Sequence, residues 1–305
     1  MLYMRYLIGA IILFSLFFAR PAWPYEETSV SDGGTISGKV TITGGKPIPK
    51  GFNLITFPDP AYCGRISTGT GWRLLEEFRI APDSGLKDVV VMLADVQKGK
   101  AFEFTPPAME ARDCRFLPFV TVVRDSNEVT VVNMDPVMHD IQAYETSHLG
   151  PRVLFNLPLP MNPNHRREVG SNSHEHLAGQ PMKEVIHMTK GRRIFVMQCG
   201  FHAYMESWGL AVENPYYAIT GPSGTFLITD VPPGEYTLVA WHPQEGAMLE
   251  KKVTVTPKGA VIAGFEFKAP TGHRSAHEMV ENPHYGLDAL GKSVSILPTL
   301  ELQVP

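Results

Sequence analysis

Between residues 35 and 43 apolar and polar positions alternate, with Ile36, Val40 and Ile42 on one face and threonine, serine and lysine on the other. That period of two is the pattern of a half-buried strand. Residues 88–95 are an apolar run between two aspartates, which suits a buried strand. Shorter patterns of the same kind fall at residues 119–123, 128–133, 193–198 and 209–213, each bounded by turn residues. No helical period is sustained beyond two turns, and residues 73–78 read as one short helix. Strands at this spacing predict an all-β chain built as a sandwich or barrel. Residues 148–189 break the pattern: Asn, Pro, His and Met recur there without a period, and a loop of that length is usually functional or disordered.

From residue 215 a second set of strands is predicted, at 218–220, 224–230, 235–241 and 251–256. Pro232-Pro233-Gly234 separates two of them, proline fixing φ and glycine accepting a positive φ. Residues 270–305 read as an irregular tail. The chain of 305 residues is long enough for two domains. A net charge of −4 gives no reason to expect nucleic acid or an anionic membrane surface as partner.

The first 22 residues have the layout of a signal peptide. Arg5 precedes an apolar run at residues 6–19 that only Ser15 interrupts, and this run is short for a spanning helix. Ala22 suits the cleavage position, whereas Arg20 does not, so an uncleaved N-terminal membrane anchor stays open. Export to the periplasm or cell exterior is the expectation. It gives meaning to the three cysteines. A Cys63–Cys114 bridge would leave Cys199 as the odd thiol, and a metal would protect it. Three inert buried thiols are the alternative.

Cys199-Gly200-Phe201-His202-Ala203-Tyr204-Met205 carries the chemistry. A thiolate, an imidazole and a thioether sit at the spacing C-x2-H-x2-M. Soft sulfur with imidazole selects copper, and a His2Cys plane with a weak axial Met defines an electron-transfer copper site. The second histidine is His139, in Asn133-Met134-Asp135-Pro136-Val137-Met138-His139-Asp140. With 3 Cys, 11 His and 13 Met in the chain, about 0.005 matches to this motif are expected by chance.

His139 with Cys199, His202 and Met205 resembles the cupredoxin family, and the short ligand loop is similar to that of amicyanin. The resemblance covers residues 86–213. It implies a Greek-key β-sandwich, one mononuclear type 1 copper and one-electron transfer. His139, Cys199 and His202 would form the plane and Met205 the axial ligand, with His202 as the electron port. Apolar Met134, Pro136, Met138, Phe201 and Tyr204 could surround that port, Met134 and Met138 being equally suited to the core, and Trp208 with Phe201 would keep the metal dry. Many cupredoxins follow the first histidine with Asn, which braces the ligand loop; here Asp140 stands there. Residues 224–241 resemble the carboxypeptidase regulatory-like, transthyretin-like fold, and residues 35–40 its first strand. Residues 33–85 and 214–269 are therefore expected to form a second small β-sandwich around the cupredoxin.

The expected partner is a redox protein such as a c-type cytochrome or an exported oxidoreductase; no C-x-x-C-H haem motif occurs. Copper binding and delivery is the first alternative, favoured by His148, His165, His174, His176 and His187 with Met161, Met182 and Met188 in the long loop. The bland reading of that loop is a polar exposed surface. A non-redox binding protein with a vestigial site is the second alternative. Catalysis is not expected, because the second cysteine and the histidine clusters of copper enzymes are missing. His273 and His277 belong to a solvated tail, and His242 reads as a surface residue at a strand end.

Overall fold

The computed structural model describes residues 25–270 except 48, 67–70, 76, 147–150, 166–174, 190 and 245–247. The signal segment, His148, His174, His273, His277 and the tail lie outside the described residues. Among those described, no helix is long and apolar enough to cross a membrane.

The protein is all-β, built from two pairs of sheets. In the first pair, a five-stranded sheet runs in the order Arg152–Leu159, His139–Glu145, Ile194–Gln198, Glu206–Ala211, Val120–Val123. Facing it is a four-stranded sheet of Pro181–Val185, Glu128–Asn133, Ala108–Ala111 and Phe116–Leu117. Alternation puts Val129 and Val131 of one sheet and Ile141, Ala143, Phe195 and Met197 of the other into a shared core.

In the second pair, Tyr217–Ile219, Val90–Ala94, Gly234–Trp241 and Leu249–Val255 form one sheet. Gly34–Thr43 pairs with Thr225–Val231, Ala260–Ile262 and Phe265–Lys268 to form the other. Ile36, Val40, Leu93, Leu238 and Val253 close the core between them. A third cluster, with Val90, Met92, Val120, Leu210 and Trp241, joins the two sandwiches. The 88–95 run is apolar throughout because Val90–Ala94 is buried on both faces, between that cluster and the second core.

The sheets depart from the sequence expectations at several points. The 86–213 boundary gives Val90–Ala94 to the cupredoxin unit, whereas its hydrogen bonds join it to Tyr217–Ile219 and Gly234–Trp241. Residues 51–66 and 71–75 pack on the first core through Phe52, Leu54, Phe57, Tyr62 and Leu75 rather than on the second sandwich. Trp72–Leu74, inside the expected helix, is a strand; among the described residues the one α-helical turn is Pro60–Cys63, with proline in its first turn, and Leu54–Thr56 and Gly64–Ile66 are 3-10 turns. The long loop contains two strands, Arg152–Leu159 and Pro181–Val185. Both lie at sheet edges with one face exposed, and Pro158 and Pro181 blur their alternation.

Glu145 ties this region to the sheet. Its buried carboxylate accepts from Arg152 Nε (2.6 Å), Arg192 Nη1 (3.0 Å) and Thr189 N (2.8 Å). Burial alone would raise its pKa, but these donors outweigh burial and hold it down at about 2.

Candidate metal centre

The loop from Asn133 to His139 is pinned from within. Asn133 Nδ2 donates to the carbonyls of Val137 (2.9 Å), Leu159 (3.2 Å) and Pro160 (2.8 Å), and its Oδ1 accepts from Asp135 N (2.9 Å). Asp135 is thereby turned inward and fully buried. Its carboxylate accepts from Tyr62 Oη (2.9 Å), Asp113 N (2.8 Å) and Cys114 N (2.8 Å), and faces His139 Nε2 at 2.9 Å. Burial opposes its charge, but His139 and the two amides prevail and lower its pKa.

The second loop leaves the Ile194–Gln198 strand at Cys199 and closes tightly. Cys199 N donates to Met205 O (3.2 Å), and Met205 N to His202 O (2.8 Å). Asp140 braces it from the facing strand, where Oδ1 accepts from Gly200 N (2.5 Å) and Oδ2 from Gln142 Nε2 (2.7 Å). A Cβ at position 200 would meet Gln142 Nε2 at 2.5 Å and Asp140 Oδ2 at 2.8 Å, so a larger residue there would push aside the two side chains that brace the loop.

His139, Cys199 and His202 converge, all buried. The Nδ1 atoms of the two histidines are 3.2 Å apart, and Cys199 Sγ lies 3.6 Å from His202 Nδ1. Met205 is fully buried in the same core.

The partners of the far nitrogens decide what this triangle can hold. Pro58 O, 3.1 Å from His202 Nε2, can only accept, so that nitrogen carries its proton. The ionised Asp135 does the same for His139 Nε2. With both rings neutral, as a bound metal would require, two bare Nδ1 atoms would meet at 3.2 Å beside a sulfur. A shared cation relieves that repulsion. Separations of 3.2 and 3.6 Å also suit one ion bonded at about 2.0 Å to nitrogen and about 2.3 Å to sulfur. Burial, and then the neighbouring His139, push His202 down to about 4, which keeps it neutral. Burial pushes the Cys199 thiol up to about 12, so it would lose its proton here in exchange for a metal.

Four expectations about the surroundings are corrected. His202 is not an exposed port: it is fully buried, with Pro58 O over its outer nitrogen and Cys63 Sγ at 3.8 Å. Tyr204 and Met134 are buried as well, while Phe201 (39 % exposed) and Met138 (43 %) reach the surface. Trp208 does not shield the site; it faces the cluster between the two sandwiches, its Nε1 donating to Glu206 Oε1 at 2.5 Å. His242 is buried rather than superficial, stacked on Phe78 with ring centroids 4.9 Å apart.

The cover over His202 comes from residues 57–63, held by a Cys63–Cys114 disulfide with a Cα–Cα distance of 5.6 Å. Cys199 is the free thiol. Sequence reasoning missed Asp135, Tyr62 and Pro58; cysteine arithmetic was the only signal for the strap that carries the last two.

The long loop supplies a second group next to the first. His176 Nε2 is 3.1 Å from Asp113 Oδ1, and its Nδ1 donates to Met134 O at 3.1 Å. His165 packs edge-on to both Tyr62 and His176. His176 is only 15 % exposed, so this part of the loop is not a free polar surface. His187 is exposed, 3.4 Å from Ser126 Oγ.

No protein-family model matches the chain, and no characterised protein matches it by sequence. Among solved structures its neighbours include cupredoxins. A purple cupredoxin from Nitrosopumilus maritimus is 17 % identical, with a TM-score of 0.24, over 34 % of this chain and 98 % of that one. Amicyanin from Paracoccus versutus is 11 % identical, with a TM-score of 0.23, over 40 % and 97 %. A copper-containing nitrite reductase from Thermus scotoductus is 18 % identical, with a TM-score of 0.25, over 38 % of this chain and 24 % of that one.

Proposed function

We propose that this chain is an exported type 1 copper protein that carries one electron at a time. The observation that carries the reading is the pair of Nδ1 atoms facing each other at 3.2 Å beside the Cys199 thiol. His139, His202 and Cys199 would hold copper, with Met205 as the weak axial ligand; the metal supplies a Cu(I)/Cu(II) couple. The chain's own groups keep the donors still. Asp135 fixes the tautomer and orientation of His139, Pro58 those of His202, and Asp140 the turn that holds Cys199. Donors that barely move between oxidation states keep the reorganisation cost of electron transfer low. A disulfide beside the site fits an oxidising, exported location.

The buried site favours keeping the metal over delivering it, because a handover needs a ligand edge open to the acceptor, and His202 is covered. No catalysis is assigned. A c-type cytochrome or an exported oxidoreductase would dock over Phe201 and Met138, exposed neighbours in sequence of the two histidine ligands. The flanking sandwich is a carboxypeptidase regulatory-like scaffold in this reading.

Metal analysis with absorption spectroscopy tests the proposal. One copper per chain with an intense visible sulfur-to-copper band is expected, and Cys199→Ser abolishes the band. A Met205→Leu variant should keep its copper with a shifted potential; an unchanged potential would remove Met205 from the ligand set.

A further inference from the structure

Beside the metal loop, and separate from the triangle of donors, lies a cavity of about 250 Å³. Arg73, Arg79 and Arg115 line it with Tyr204, Glu77 and Glu206. The two carboxylates already have partners. Glu206 accepts from Trp208 Nε1 (2.5 Å), Gln244 Nε2 (3.3 Å) and Gln198 Nε2 (3.4 Å), and Glu77 lies 3.3 Å from Lys50 Nζ. Arg79 is 3.5 Å from Asp88, and Arg115 is 3.8 Å from Asp113.

Arg73 differs. It is half-buried, donates from Nη1 to Cys114 O at 2.7 Å and lies over the Tyr204 ring, yet it has no carboxylate partner among the described residues. Burial, followed by the charge of Arg115, acts against its proton, but a guanidinium keeps its charge in proteins. A desolvated cation without a counter-charge is costly to hold. Tyr204 adds a second unmet group: it is 1 % exposed, and its hydroxyl has no hydrogen-bond partner among the described residues.

We infer that this cavity binds a small anion offering two oxygens to Arg73, either a carboxylate or an inorganic oxyanion. Guanidinium forks bind such anions bidentately. A cavity of about 250 Å³ admits an anion of a few heavy atoms. Tyr204 stands between His202 and Met205, so the anion would press on the loop that carries Cys199, His202 and Met205.

Calorimetric titration of the full chain with sodium acetate and with sodium sulfate, against sodium chloride at matched ionic strength, tests this. Acetate or sulfate should bind saturably, at least tenfold more tightly than chloride. Arg73→Gln should weaken that binding tenfold or more, and Arg73→Lys severalfold, in variants whose melting profile stays native. If Arg73→Gln fails to fold, Arg73→Lys decides, since it keeps the charge and removes the bidentate fork. No saturable binding, or equal binding by wild type and the deciding variant, overturns the inference. The titration is run with and without copper, so a failure of the metal assignment leaves the metal-free result decisive.

Discussion

Asp135 gathers His139, Tyr62 and two backbone amides on a single buried carboxylate. Every partner there is a donor or, in the case of His139 Nε2, a protonated nitrogen. Asp135→Asn would turn an amide NH2 toward one of them, so copper affinity should drop about 10–100-fold; competition with a chelator of known affinity measures it. Asp140 holds Gly200 in the same way, and Asp140→Ala should cost about 1.5–3 kcal/mol, read as a lower melting temperature. At this scale the sequence was partly legible. Cys199, His202 and Met205 fall in one tight turn, and local spacing betrays such turns. Asp135 could not be read, because its role depends on Tyr62 and on the amides of residues 113 and 114, which only the fold brings near. Asp140 was noticed as a departure from asparagine, but its bond to Gly200 needed the strand pairing.

Between elements, two ties control what the site is exposed to. The Cys63–Cys114 bridge fastens the 57–63 strap over His202 across 51 residues of sequence. Replacing both cysteines by serine should cost about 4 kcal/mol of stability on loop-closure entropy. It should also open the His202 edge, speeding oxidation by a small inorganic oxidant in stopped flow; an unchanged rate would mean that the strap is no barrier. Glu145 is the other tie. Its folded pKa of about 2 lies below the ordinary 4.5. Its stabilisation is therefore complete above pH 4.5 and is lost as pH falls toward 2, amounting to about 2–3 kcal/mol. Glu145→Gln should flatten the acid limb of a denaturation-versus-pH curve, and an unaltered limb would refute the role. Strands with clean alternation, such as Gly34–Thr43 and Glu128–Asn133, were legible. Arg152–Leu159 and Pro181–Val185 were not, because edge strands bury one face and tolerate proline and asparagine.

In the whole molecule, two sandwiches share a third apolar cluster, and Val90–Ala94 serves both. An all-β chain with paired sheets was readable from period-two patterns. Which sheet each strand joins was not, since hydrophobic alternation sets the buried face and not the neighbour. The same limit hid the strap: residues 51–66 and 71–75 look like a prelude to the flanking sandwich, yet they pack on the first core. The consequence is a histidine pair and a thiol closed off from solvent, with Phe201 and Met138 as exposed apolar neighbours in sequence of the two histidines. Met138→Glu should slow electron exchange with a c-type cytochrome several-fold without altering the visible spectrum. The measurement that bears most directly on the central claim is the absorption spectrum of the full chain loaded with Cu(II), with metal content determined on the same sample. One copper per chain with an intense visible charge-transfer band that Cys199→Ser removes is the predicted result; a colourless copper complex, or a preference for zinc over copper in direct competition, would contradict it.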